Sequence, residues 1–133
     1  MAMQQLIYYS RPFGFDAAML ANILESSRRR NRMNDVTGAL VCRADIFCQL
    51  LEGPVGKVEA TFNRIEQDDR HVEVQVLVRC LTQDRLFEHW AMYHDPQPNK
   101  LWSPDEVHSG VPQRATVREV RHIFLSVAQA VNL

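Results

Sequence analysis

The sequence lacks the features that mark several common classes of protein. It contains three cysteines in 133 residues, Cys42, Cys48 and Cys80, an odd number without paired spacing. We therefore expect buried thiols in a reducing compartment, and no disulfide framework. No apolar run approaches the roughly 20 residues that span a bilayer, and no basic region precedes the short apolar stretch at the N-terminus. These absences predict a cytoplasmic protein without a membrane segment.

The charges, histidines and glycines exclude further kinds of site. Lys and Arg number 15 against 16 Asp and Glu, a net charge of −1, which argues against a general nucleic-acid binder. The five histidines form no i, i+4 pair and have no Cys-x-x-Cys beside them, so no metal site is expected. No dinucleotide or Walker glycine loop and no Ser-His-Asp or Cys-His spacing is present, which disfavours nucleotide hydrolysis and nucleophilic catalysis.

What remains is the composition of one globular domain, 46% hydrophobic and 23% charged, with a clear order of elements. Apolar alternation predicts strands at 5–10, 36–43, 46–52, 72–81 and 87–94. Helical spacing predicts helices from Asp16 to about Arg30, from Gly53-Pro54, after Ser103-Pro104, and from about Gln113. The order β-α-β-β-α-β-β is typical of a ferredoxin-like α+β fold, a mixed sheet with two helices on one face.

Two segments near the ends of predicted helices leave alternatives open. Residues 31–35 carry two Asn and one Asp and predict a loop, and the preceding run of arginines indicates either a phosphate contact or a solvated helix end. The last helix has an apolar stripe that must be buried on the free face of the sheet or on a partner subunit. Its members are Val117, Val120, Phe124, Val127 and Val131.

Two polar side chains fall where the strand pattern requires apolar ones. Gln49 lies between Phe47 and Leu51 on one strand face, and Tyr8 lies between Leu6 and Ser10 on another. A buried amide or phenol needs hydrogen-bond partners. The two side chains either satisfy each other inside a core or line a polar pocket, and the residues alone leave this choice open.

Five short segments carry a further pattern: LIYYS at 6–10, NRMNDVTGAL at 31–40, FCQLLEG at 47–53, IEQDDRH at 65–71 and FEHWAM at 87–92. In this order and spacing, over about residues 3–95, they resemble the BLUF family of flavin-binding blue-light sensors. The resemblance implies that FAD lies between the first two helices with its ring against the sheet.

The resemblance also implies roles for individual side chains. Gln49 would reach flavin N5 and O4 and the hydroxyl of Tyr8, and Asn31 would reach the N3/O4 edge. By the family pattern, Arg70 would lie near the C2 carbonyl and His71 would pack beside the ring. Asp68 would be a supporting carboxylate, and Arg64 would approach the phosphate arm. The implied apolar lining consists of Ile23, Leu40 and Phe47.

By the same resemblance, light drives electron and proton transfer from Tyr8, and Gln49 rearranges. A stronger hydrogen bond at flavin O4 then shifts the absorption to the red until the dark state returns. Output is implied to pass through the fifth strand, where Trp90 and Met92 are expected on one face. Both are candidates for the neighbour of Gln49.

The resemblance implies a photoreceptor and not an enzyme, because no substrate is turned over. Residues 1–96 would form the flavin-binding core and 97–133 a helical extension, as in short members of the family that act on a separate protein and self-associate. The alternative is a flavin-independent ferredoxin-like module that binds a partner or small ligand, with Tyr8 and Gln49 structural. A flavin redox enzyme is disfavoured, since no hydride-donor site or catalytic cysteine is evident.

Overall fold

The strands and helices are defined by a computed structural model that describes residues 3–12, 14, 16–43, 45–68, 71–95 and 101–131. Five strands and five helices form in this part of the chain. They are β1 Met3–Pro12, α1 Ala17–Asn34, β2 Thr37–Arg43, β3 Ile46–Pro54, α2 Val55–Glu66, β4 His71–Thr82, β5 Tyr93–Asp95, α3 Pro104–His108, α4 Val111–Arg114 and α5 Val117–Val131.

The strands form one mixed sheet in the order β4-β1-β3-β2-β5. Neighbouring strands are antiparallel except β2 and β5, which run parallel. The register places Tyr8 of β1 opposite Gln49 of β3, and Gln49 opposite Leu40 of β2. The predicted ferredoxin-like α+β fold is confirmed.

Each face of the sheet is covered by its own layer of helices. The face toward α1 and α2 buries one apolar cluster, with Leu6, Tyr8, Phe47 and Leu51 from the sheet and Ile23, Leu24, Val58 and Phe62 from the helices. The opposite face buries Ile7, Tyr9, Cys48 and Leu50 against Val120, Phe124 and Val127 of α5. Of the two alternatives for the last helix, the structure shows the first: it covers the sheet.

The predicted fifth strand over 87–94 is wrong in its extent, because only Tyr93–Asp95 pairs with the sheet. The N–H groups of Leu86 and Phe87 donate to the buried carboxylate of Glu52 at 2.9 and 2.7 Å. The N–H of Trp90 then turns back to the carbonyl of Phe87 at 3.1 Å. These backbone groups are therefore used by a turn and an acid, and not by a strand ladder.

Because this segment is a turn, Trp90 and Met92 do not share a face as predicted. Met92 is 1% exposed and belongs to the cluster under α1 and α2. Trp90 is 37% exposed, and its ring packs edge-on against Tyr93, with centroids 4.9 Å apart. The period-two rule applies only while a chain stays extended.

The loop predicted at 31–35 is instead the last turn of α1. The helix continues to Asn34, and Asp35 ends it in the left-handed conformation (φ 57°), with its N–H bonded to the carbonyl of Asn31. The amide of Asn34 also bonds the carbonyl of Arg30 at 2.9 Å. The Asn/Asp signal therefore marks a helix C-terminus, where these residues tolerate positive φ.

Strand β4 is present as predicted, but a bulge interrupts its alternation. Ile7 pairs with Val78 while the next residue, Tyr8, pairs with Val76, which leaves Leu77 as an extra residue. Val74 and Val76 therefore pack under α1 and α2, whereas Val78 packs under α5. A second register shift lies between Tyr9 and Arg11, and Val72, opposite Arg11, is exposed. An inserted residue reverses which side of a strand faces a given core.

The helix predicted from about Gln113 is divided in two. Helix α4 ends at Arg114, and a reciprocal pair of contacts between Thr116 and Glu119 opens α5, with each backbone N–H donating to the other side chain. This capping pattern satisfies N–H groups that a helix start leaves unpaired. The helix start predicted at Ser103-Pro104 is confirmed, again with a capping box.

The part of the chain that the structure describes contains neither a membrane-spanning helix nor a cluster of metal ligands. None of the helices there has the length and apolarity needed to cross a bilayer. Nor does any group of three or more His, Cys, Asp and Glu side chains come together in a way that could bind a metal ion.

Candidate functional site

A cleft lies between α1 and α2, above the sheet. Each helix contributes side chains that are three or four residues apart in the sequence. Side chains at these spacings lie on one face of a helix and therefore form a continuous wall. The lining residues are Ile23, Ser26, Ser27, Arg30 and Asn31 from α1, Thr61, Arg64, Ile65 and Asp68 from α2 and its end, and Gln49 and His71 from the sheet. The space inside the cleft is about 50 Å³.

Three side chains form a hydrogen-bonded series at the floor of this cleft. The hydroxyl of Tyr8 donates to Oε1 of Gln49. Nε2 of Gln49 donates to the sulfur of Met92 at 3.3 Å. Gln49 is 5% exposed and lines the cleft, so its amide meets a phenol, a thioether and the cleft at once. Gln49 contacts Tyr8 because the pairing of β1 with β3 places the two residues opposite each other.

Tyr8 is enclosed on its remaining sides. Its ring centroid lies 5.5 Å from that of Phe62 on α2 and 6.2 Å from that of His71 on β4. Complete burial raises the pKa of the Tyr8 phenol well above its ordinary value, and Cys48 and Asp68 add to the effect through their charges. The ground-state phenol therefore keeps its proton and donates it in a hydrogen bond.

His71 is held in place by contacts on the sheet. Its Nδ1 lies 2.8 Å from the hydroxyl oxygen of Ser10. Its ring meets that of Phe47 edge-on, with centroids 5.2 Å apart. The side chain is buried and still lines the cleft. It can therefore present a fixed ring to a ligand.

Asn31 links the cleft wall to the segment before β5. It is 2% exposed and lines the cleft, and its Nδ2 donates to the carbonyl of Ala91 at 2.7 Å. The extension of α1 through the predicted loop fixes this position. An amide in the last turn of a helix is held more firmly than one in a loop.

The other residues named from the resemblance fall into three groups. Ile23, Arg64 and Asp68 line the cleft, with Arg64 exposed at its rim. Leu40 and Phe47 are buried in the cluster on the same sheet face, behind that lining. Trp90 lies outside the cleft, and Arg70 falls outside the described residues.

Three polar lining residues were missed from the sequence: Ser26, Ser27 and Thr61. A signal for them was present. Ser26 and Ser27 follow Ile23 by three and four residues and precede Asn31 by five and four, so they continue its helix face. Thr61 precedes Arg64 by three residues and Ile65 by four, so it lies on the same face of α2 as they do.

The donors and acceptors of the cleft suit a flavin. The edge of a flavin ring alternates acceptors with an N–H, and the amides of Gln49 and Asn31 offer both kinds of group on one plane. The guanidinium groups of Arg30 and Arg64 at the walls suit a phosphate. Apolar Ile23 and Ile65 provide the contact area that a ring requires.

Comparison with known proteins supports the same cofactor. A family profile described as "BLUF: Sensors of blue-light using FAD" matches residues 3–93. Photoactivated adenylate cyclase subunit beta from Euglena gracilis is 34% identical over 74 residues, which is 55% of this chain and 9% of that protein. The chain therefore spans less than a tenth of the length of that relative.

Solved structures give a match over nearly the whole chain. The dark-state structure of BlrB, a BLUF protein, is 25% identical with a TM-score of 0.77, over 94% of this chain and 96% of that one. The photo-activated state of BlsA has a TM-score of 0.79 at 22% identity, over 96% and 95% of the two chains, which supports the fold. Because the family profile covers more than half of the sequence, the chain belongs to the BLUF family and is a flavin-binding module that senses blue light.

Proposed function

We propose that the series Tyr8–Gln49–Met92 is the photoactive element of this sensor. The observation that carries the proposal is the position of the Gln49 amide: its oxygen accepts from Tyr8, its nitrogen donates to Met92, and its side chain lines the cleft. An amide has a donor and an acceptor on one planar group, so turning it over exchanges them without a change of fold.

The two ends of the amide respond differently to such a turn. Toward Tyr8, the phenolic oxygen can accept from the amide nitrogen as readily as its hydroxyl donates to the amide oxygen. Toward Met92, a thioether sulfur has no hydrogen to donate. The turned amide would therefore lose its contact with Met92, and the packing of the segment before β5 would change.

The cofactor would be held by side chains from both helices and the sheet. Bound FAD absorbs blue light, and its excited ring is a strong oxidant. Tyr8 is the electron and proton donor, since its buried phenol keeps its proton in the ground state. We assign the remaining contacts to Asn31, His71, Asp68, Arg64 and Ile23 in the lining, to Arg70 beside them, and to Leu40 and Phe47 as packing behind it.

A sensor that catalyses no reaction must act through another protein. We infer that the chain is not an enzyme, and that residues 1–96 bind the flavin while 97–133 form an extension that seals the sheet. We further infer that it acts in the cytoplasm on a separate protein and self-associates. The observations that support a partner are the exposed side chain of Trp90, two residues before Met92, and the bond from the half-buried Arg28 of α1 to the carbonyl of Met92.

The first test is the spectrum of the purified chain loaded with FAD. We expect a yellow protein whose structured flavin band moves to longer wavelength under blue light and returns in the dark, because Gln49 alters its hydrogen bond to the ring. A preparation that stays colourless with added FAD would favour the flavin-independent module. A flavin band that does not move in light would contradict the proposed role of Gln49.

A further inference from the structure

Arg28 contacts the same residue as Gln49 does, from the other side. Its Nε donates to the carbonyl of Met92 at 3.1 Å, and its side chain is half-buried. Asn31, three residues later and therefore about one turn further along α1, donates to the carbonyl of Ala91. Two side chains of one helix thus hold two consecutive carbonyls of the segment that precedes β5.

The third carbonyl of that segment is held as well. The carbonyl of Trp90 accepts from the N–H of Gly38 on β2 at 3.0 Å. The backbone of residues 90–92 is therefore fixed to α1 and β2, while the side chain of Met92 is contacted by Gln49. Among these three residues, Met92 is the one where the photoactive series and a charged side chain of α1 meet.

We infer that Arg28 is a positioning residue that keeps Met92 beside Gln49 and transmits the turn of the amide to α1. A hydrogen bond from a guanidinium is charge-assisted, whereas a thioether sulfur is a weak acceptor. The strong bond therefore sets where the weak one can form. When Gln49 withdraws from the sulfur, Met92 stays tied to Arg28, and any shift of its backbone moves α1.

Arg28 also reaches the protein surface, so a movement of Met92 can alter a surface that a partner contacts. Arg28 lines a surface groove on α1 together with Arg29, Arg32, Ala21 and Leu24. The cleft and this groove lie on different faces of one helix, and Arg28 joins the groove to Met92. The inference rests on the proposed role of Gln49 and adds helix α1 as a route of output.

The test compares hydrogen–deuterium exchange of α1 in light and dark, in the FAD-loaded full chain. We expect light to change the deuterium uptake of α1 in the wild type, and Arg28→Gln to lose that change while the red shift remains. Arg29→Gln is the matched control: it removes the same charge from the neighbouring exposed position, and both effects should persist. Arg28→Lys retains a charged donor and should restore part of the difference.

The outcomes separate this inference from the proposed function. A wild type without a red shift contradicts the role of Gln49, whereas a red shift without any response of α1 overturns only the role of Arg28. A wild-type response of α1 in Arg28→Gln also overturns it. Should that variant fail to bind FAD, Met92→Leu tests the other side of the same link: it removes the sulfur and is expected to abolish the α1 response.

Discussion

At the scale of single residues, the site consists of polar groups that a core would exclude unless each had a partner. Tyr8 and Gln49 bond each other, and Gln49 also bonds Met92. Strand periodicity placed each of the first two on one face of its own strand, and the family resemblance placed both beside the flavin. The sequence could not decide between Trp90 and Met92, since that choice depends on a turn whose N–H groups bond to Glu52.

Replacing the phenol tests its role as donor. We predict that Tyr8→Phe still binds FAD but shows no red shift in blue light, because a phenyl ring has no O–H to transfer. The measurement is the light-minus-dark absorption spectrum of the loaded variant.

The matched control for this change is the neighbouring tyrosine on the opposite face. Tyr9 packs in the cluster under α5, and its hydroxyl bonds Gln113 and Gln75. Tyr9→Phe should keep the red shift and lower the free energy of unfolding by about 1 kcal/mol. A normal light-state spectrum in Tyr8→Phe would remove Tyr8 from the mechanism.

At the scale of elements, the differences from the sequence prediction have local physical causes. Apolar periodicity located β1 to β4, α2 and the stripe of α5, since burial on one face determines each. The end of α1 depends on a backbone bond to the carbonyl of Asn31, and the bulge in β4 depends on one extra residue. The shortness of β5 depends on the bond from the N–H of Phe87 to the distant Glu52. Such bonds leave no periodic trace in a sequence.

The pairing of β2 with β3 depends on a glycine. A Cβ on Gly38 would lie 1.9 Å from the backbone oxygen of Leu50, whereas a Cβ on Gly56 in α2 would meet nothing within 4 Å. We predict that Gly38→Ala lowers the free energy of unfolding by at least about 2 kcal/mol, since backbone atoms must move apart.

Gly56→Ala is the control for that substitution, and it should raise the free energy of unfolding by roughly 0.5 to 1 kcal/mol by restricting the unfolded chain. Urea titration followed by circular dichroism measures both variants. Equal stability of Gly38→Ala and the wild type would show that the two strands approach less closely than described.

At the scale of the whole molecule, one sheet separates the cleft side of the protein from the side that α5 covers. The face under α1 and α2 carries the photoactive series, and the other face is sealed by α5. The sequence predicted two helices on one face of the sheet, and it left the last helix either on the other face or on a partner subunit. The role of α1 in holding Ala91 and Met92 was not predictable, since it arises from contacts between residues some 60 positions apart in the chain.

The central claim is that the amide of Gln49 is the switch, and one measurement tests it most directly: the light-minus-dark absorption spectrum of Gln49→Leu, loaded with FAD. Leucine fills a similar volume but has neither donor nor acceptor, so we predict bound flavin with no reversible red shift. Gln83→Leu, an exposed glutamine beyond the far end of β4, should shift as the wild type does. A normal, reversible red shift in Gln49→Leu would contradict the account.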